Sequence, residues 1–162
     1  MMSRQSFISS LVSLILFFSI LPLFISEGLA EQGSGEIKGP IVITSQMLTA
    51  DNKTNTAIFE RSVVAKTTDT TIYSDKMVVL SDKDTGNVTR IDAEGNVKFI
   101  KGDRVVVSEK ATYLADGEKI IFTGEPRATE GENVVTGKKM TYFMKEDRFL
   151  VEESKVFLRK KK

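Results

Sequence analysis

The chain has 162 residues, 23 basic and 22 acidic, for a net charge of +1, and it contains neither histidine nor cysteine. Those two absences exclude Ser-His-Asp and Cys-His nucleophile arrangements, thiolate redox chemistry, the usual zinc ligands and a disulfide framework. The charge balance offers no basic stripe of the kind nucleic acid requires.

The first element is a leader. Arg4 precedes an apolar run from Phe7 to Ile25, interrupted by four serines and Pro22, and Gly28-Leu29-Ala30 follows. A basic start, an apolar middle and small residues at the cut form a secretory signal peptide, residues 1–30, expected to be cleaved after Ala30. The competing reading is an uncleaved anchor, since the 19 residues from Phe7 to Ile25 can just span a bilayer. Pro22 and the small residues favour cleavage. Residues 31–40 form a flexible N-terminal segment, residues 41–158 a single domain, and residues 159–162 a basic tail.

The domain repeats one phrase four times. Its copies run from Ser45-Gln-Met47 to Val63, from Ser74-Asp-Lys-Met77 to Val97, from Ser108-Glu-Lys-Ala111 to Pro126, and from Thr136-Gly-Lys-Lys-Met140 to Val156. Met47, Met77, Ala111 and Met140 are spaced by 30, 34 and 29 residues; Val63, Val97, Pro126 and Val156 by 34, 29 and 30. Such a period means stacked units sharing one core, because a single unit cannot bury its own apolar face.

Within each copy, β-branched and aromatic residues alternate with polar ones over short runs, as in Ile41-Val-Ile43, Ala57-Ile-Phe59, Val97-Lys-Phe99 and Ile120-Ile-Phe122. Clusters such as Asp51-Asn-Lys-Thr-Asn55, Asp116-Gly117 and Lys145-Glu-Asp147 separate them as turns. The fold class is therefore all-β, with many short strands joined locally.

Residues two apart on a strand share a face. Four before the second set of markers lie Phe59, Ala93, Phe122 and Glu152; six before lie Ala57, Ile91, Ile120 and Leu150; two after lie Ala65, Phe99, Ala128 and Leu158. All but Glu152 are apolar, giving one continuous wall whose last rung is expected to fray or open. Met47, Met77, Ala111 with Tyr113, and Met140 with Tyr142 give a second wall. Facing walls make a sandwich, a jelly roll or a solenoid, either packed dry or parted around an apolar ligand.

Most carboxylates sit in turns or at outward positions, where they are solvated. Asp82/Asp84 and Glu130/Glu132 lack the ordered spacing of a calcium loop, and no glycine-rich phosphate cradle opens a helix. No catalytic residue, metal site or cofactor is expected. The tail, Arg159-Lys-Lys-Lys162, is a solvated charge run or a contact for an anionic lipid or partner.

The leader, Pro40-Ile-Val-Ile-Thr-Ser45, Ser-Asp-Lys-Met77-Val-Val-Leu, Gly95-Asn-Val97, Ser-Glu-Lys-Ala111-Thr-Tyr113, Thr123-Gly-Glu-Pro126 and Gly137-Lys-Lys-Met140-Thr-Tyr142 together resemble the LptA/OstA family of lipopolysaccharide export proteins. The resemblance implies a periplasmic antiparallel OstA-like β-jellyroll, open at both ends. It would bind lipopolysaccharide acyl chains inside, self-associate end to end, and bridge inner-membrane LptC-like and outer-membrane LptD-like partners. On this reading Ile41, Ile43, Phe59, Val63, Met77, Val97, Phe99, Tyr113, Phe122, Met140 and Tyr142 line the acyl-chain path. The interface edges would be Ile41, Val42 and Ile43 at one end and Lys155, Val156, Phe157 and Leu158 at the other. The sequence departs from the pattern where Glu60-Arg-Ser62 and Glu153-Ser-Lys155 replace the glycine-containing turn of the middle repeats. The rivals are a membrane-anchored LptC-like adaptor, which an uncleaved leader favours, and a β-scaffold that binds no lipid.

Overall fold

The computed structural model describes residues 40–158. The leader, most of the 31–40 segment and the basic tail lie outside the described residues. Among the described residues there are twelve strands and no helix, and so no helix long and apolar enough to cross a membrane.

Four long strands organise the fold: β3 (Thr56–Lys66), β4 (Thr70–Ser81), β5 (Val88–Lys101) and β6 (Arg104–Leu114). Each bends near its middle, and the register between neighbours breaks there, at Glu60/Val63, Tyr73/Lys76 and Glu94/Val97. The bend sends each half-strand into a different ladder. The first wall is completed by β2 (Met47–Asp51) at one end and by β7 (Lys119–Thr123), β10 (Lys139–Phe143) and β11 (Arg148–Glu152) at the other. The second wall is completed by β1 (Val42–Thr44), then β8 (Arg127–Glu130), β9 (Asn133–Thr136) and β12 (Lys155–Phe157). All pairs are antiparallel and the sheet does not close on itself.

The register lines the inside with unbroken apolar rows. Across the first wall, Leu48, Phe59, Met77, Ala93, Ala111, Phe122, Met140 and Val151 stand side by side. Across the second, the row is Ile43, Ala65, Ile72, Phe99, Val106, Ala128, Val135 and Val156. The outer face of the first wall carries Glu60, Lys76, Glu94, Lys110, Thr123, Lys139 and Glu152 in one row. There the Glu60–Lys76, Glu94–Lys110 and Lys139–Glu152 pairs lie at 3.6, 3.0 and 2.6 Å. Exposed pairs of this kind contribute at most about 1 kcal/mol each, so the row chiefly marks which face is wet.

Corners explain the phase. Three of them hold two successive residues at positive φ: Arg61 and Ser62, Gly95 and Asn96, Gly124 and Glu125. Six positions separate Phe59 from Ala65, Ala93 from Phe99 and Phe122 from Ala128. The last corner has one such residue, Glu153, and only five positions from Val151 to Val156. Shortening by one residue reverses the inward parity. Leu150 is therefore turned outward, 48% exposed, and not inward as the spacing predicts. Phe149 and Val151 take the inward places, and Glu152 lies in the outer charge row, so it does not interrupt the apolar wall. A similar offset corrects the first repeat. Met47 pairs with Glu60 in the outer row, while Leu48 holds the place opposite Phe59; on this edge strand the two are 43 and 56% exposed.

Gly95 shows how tightly a corner is built. Its φ is +77°, and a Cβ there would run into the Asp75 carboxylate, which also accepts a hydrogen bond from Asn96 Nδ2 at 2.8 Å. Gly95→Ala is expected to cost about 2–3 kcal/mol, adding a clash to the left-handed penalty. Gly102→Ala, at φ +59° in open space, should cost about 1 kcal/mol. Urea unfolding of the two variants measures the difference.

Candidate functional site: the space between the walls

All eleven residues expected to line the interior belong to one apolar cluster. Val63, Met77, Val97, Phe99, Phe122, Met140 and Tyr142 are fully buried, and Ile41, Ile43, Phe59 and Tyr113 are partly buried against them. The expectation omitted Val106, Met144, Phe149 and Val151. Val106 lies in the continuous run Val105-Val-Val107, which does not show which residue faces inward; Phe149 and Val151 were hidden by the shortened corner.

The walls press closely. Phe99 of the second wall meets Phe122 and Tyr142 of the first at centroid distances of 5.5 and 5.8 Å, and Tyr142 stacks on Phe149 at 4.6 Å. To one side of these rings lies an apolar cleft of about 40 Å³ reached by Ile41, Ile72, Ile91, Tyr113 and Met144. To the other side, toward the C-terminal end of the stack, a cleft of about 260 Å³ is floored by Ala128, Val135, Phe149 and Val151 and rimmed by Arg104, Glu130 and Asp147.

The rim is ionic. The Arg104 guanidinium reaches Asp147 Oδ1 at 2.9 Å and Glu130 Oε1 at 3.3 Å, and it lies 5.3 Å from the Phe149 ring centre. Tyr142 donates its hydroxyl hydrogen to the same Asp147 oxygen at 2.7 Å, and Lys101 pairs with Asp69 at 3.3 Å. Hydrogen bonding from Tyr142, then from Arg104, holds the Asp147 carboxyl below its ordinary value of 3.8. Burial works against ionisation of Asp69, but bonds from Thr70 and Lys101 outweigh it and lower its pKa. Burial raises the Tyr142 pKa.

A depressed carboxyl contributes stability that is complete above the unfolded value and disappears as pH falls through the folded one. Wild type should therefore exceed Asp147→Asn by up to about 1 kcal/mol at pH 7, since Asp147 is well exposed, and the gap should close below about pH 4. Thermal melts across that range measure it.

Among the described residues no group of three or more His, Cys, Asp or Glu side chains is placed to hold a metal ion. What the arrangement offers is a largely apolar surface facing itself, adaptable at its methionines, with the buried Ser74 hydroxyl and Thr70 as polar exceptions.

The expected edges are terminal strands. The second wall ends in β1 and β12, and Val42, Val156, Phe157 and Leu158 are 55, 52, 51 and 78% exposed. The first wall ends in β2 and β11, which the sequence reading did not name as edges.

Residues 42–148 match the family model described as the LptA/(LptD N-terminal domain) LPS transport protein. No curated protein sequence matches the chain. Among solved structures it is similar to LptH, the LptA-homologous periplasmic component of the lipopolysaccharide transport device of Pseudomonas aeruginosa. The two are 11% identical with a TM-score of 0.68, over 75% of this chain and 96% of that one. At that identity the likeness is one of fold, and it identifies the twelve-stranded arrangement as the antiparallel LptA jellyroll.

Proposed function

The chain belongs to the LptA/LptD N-terminal-domain family of LPS transport proteins, and from that premise we propose that it works in the periplasm by sheltering lipopolysaccharide acyl chains between its walls. The observation that carries this reading is the pair of inward rows, apolar at every rung from β1 and β2 to β11 and β12. An alkyl chain laid along them gains about 0.8 kcal/mol for each methylene removed from water.

The walls must part to admit it. A cleft of about 40 Å³ is far smaller than the roughly 300–1,000 Å³ of a typical ligand pocket. Entering methylenes would replace wall-to-wall contacts with wall-to-lipid contacts of similar quality. Met77, Met140 and Met144 suit that exchange because thioether side chains re-pack at low cost. The terminal strands, each paired on one side, are suited to adding a neighbouring protomer or an LptC-like or LptD-like partner by β-augmentation, which would extend the trough into a bridge.

The same closeness of the walls favours a second reading, a dry scaffold of the export complex that touches no lipid. Heat denaturation with and without lipopolysaccharide separates the two. A ligand held only by the folded state at a hundred times its Kd adds about 2.7 kcal/mol, and the midpoint should rise by several degrees. An unchanged midpoint at saturating lipopolysaccharide favours the scaffold.

A further inference from the structure

We propose that Tyr142, Asp147 and Arg104 form a latch that holds an aromatic plug shut across the groove, so that the interior is two apolar chambers and not one open trough. The claim that lipid occupies those chambers rests on the function proposed above; the latch itself does not.

The plug is the ring cluster of Phe99, Phe122, Tyr142 and Phe149, and it stands between the two clefts. Because Phe99 comes from the second wall and the other three from the first, the plug closes only while the walls stay together. The latch lies directly above it. Arg104 begins β6 in the second wall, and Asp147 lies in the turn between β10 and β11 of the first, so their 2.9 Å ion pair ties wall to wall at the hairpin tips. By contrast, the Glu60–Lys76, Glu94–Lys110 and Lys139–Glu152 pairs stay within the first wall.

Tyr142 couples plug and latch in one side chain. Its ring is part of the plug, and its hydroxyl hydrogen goes to the Asp147 oxygen that also receives Arg104. Arg104 in turn covers the Phe149 ring. The latch side of Asp147 and Glu130 is wet, with side chains 62 and 56% exposed, whereas Arg104 is 21% exposed. Opening therefore returns the carboxylates to water at small cost, while the guanidinium leaves two partners. A bistable closure of this type is set by few contacts and can be shifted by removing one.

The test uses the absence of cysteine from the chain. Spin labels at Asp103→Cys and Glu146→Cys, in the two exposed turns beside the latch, report the separation of the tips without lipid. Wild type should give one narrow distance, and Asp147→Asn and Tyr142→Phe should each broaden it toward longer values. Stopped-flow binding of a fluorescent fatty acid then reads passage. Entry should be up to about fivefold faster in Asp147→Asn, the rate equivalent of losing one exposed ion pair. Glu146→Gln, one residue away, controls for charge alone and should match wild type. Narrow distances and unchanged entry rates in both latch variants overturn the latch. A broad distance in wild type overturns it as well. If no variant binds the fatty acid, the lipid reading fails, while the label distances still decide whether the latch exists.

Discussion

Phe99→Ala is expected to cost about 3–5 kcal/mol, the scale of deleting a fully buried aromatic ring, and to leave little of the stability of a domain that has about 5–15 kcal/mol in all. Phe99 is 1% exposed and meets two aromatic rings from the opposite wall. Removing it takes away a transfer contribution and leaves a cavity that neighbouring strands, fixed by their ladders, cannot fill. Ile100, the next residue, faces outward in register with Val105 and Thr71. Ile100→Ala should cost less than about 1 kcal/mol, as a substitution outside the core does. Urea unfolding of both variants gives the comparison, and near-equal costs would mean that the walls do not press together at the plug.

Deleting Asn96 should be more damaging still. The Gly95–Asn96 corner uses two residues at positive φ to carry β5 from one wall to the other while keeping Ala93 and Phe99 both inward. With one residue fewer, β5 would need a five-position corner like the one that keeps Val151 and Val156 both inward, while its ladders to β4 and β6 are registered to a six-position one, so pairing is lost on both flanks. Loss of two ladders at the centre of the sheet does not leave a cooperative fold. Inserting one glycine after Glu153 is the informative contrast. That corner spans five positions, and among the described residues only β12 lies beyond it, so stability should change by about 1 kcal/mol or less, within the range of tolerated edge changes. Circular dichroism melts of the two variants measure this, and a deletion variant that melts like wild type would contradict the corner account.

These corners also explain how much of the molecule was legible in its sequence. A period near thirty residues and a two-residue alternation are enough to assign the β class, the stacking and the inward positions of Phe59, Val97, Phe99, Phe122 and Met140, because local pattern and global burial agree there. The two failures have one cause. Counting from a marker assumes equal corners, but the first repeat's inward residue is Leu48 and the final corner is one residue short, so Met47, Leu150 and Glu152 were assigned to the wrong face. The ionic rim left no trace in any motif. Arg104 and Asp147 are 43 residues apart, one at the start of β6 and one in the turn before β11, and only the pairing of both walls brings them together.

The central claim is that lipid lies between the walls, and photo-crosslinking in cells tests it most directly. Phe99 is too deeply locked in the plug to carry a probe without disturbing the fold, so the inward position is better taken at Tyr113, which borders the N-terminal cleft and is partly buried. Lys98, exposed on the outer face of the second wall, is its counterpart. A photoreactive side chain at Tyr113 should capture lipopolysaccharide while the same group at Lys98 does not. Equal capture at both positions, or capture at neither, would contradict the account.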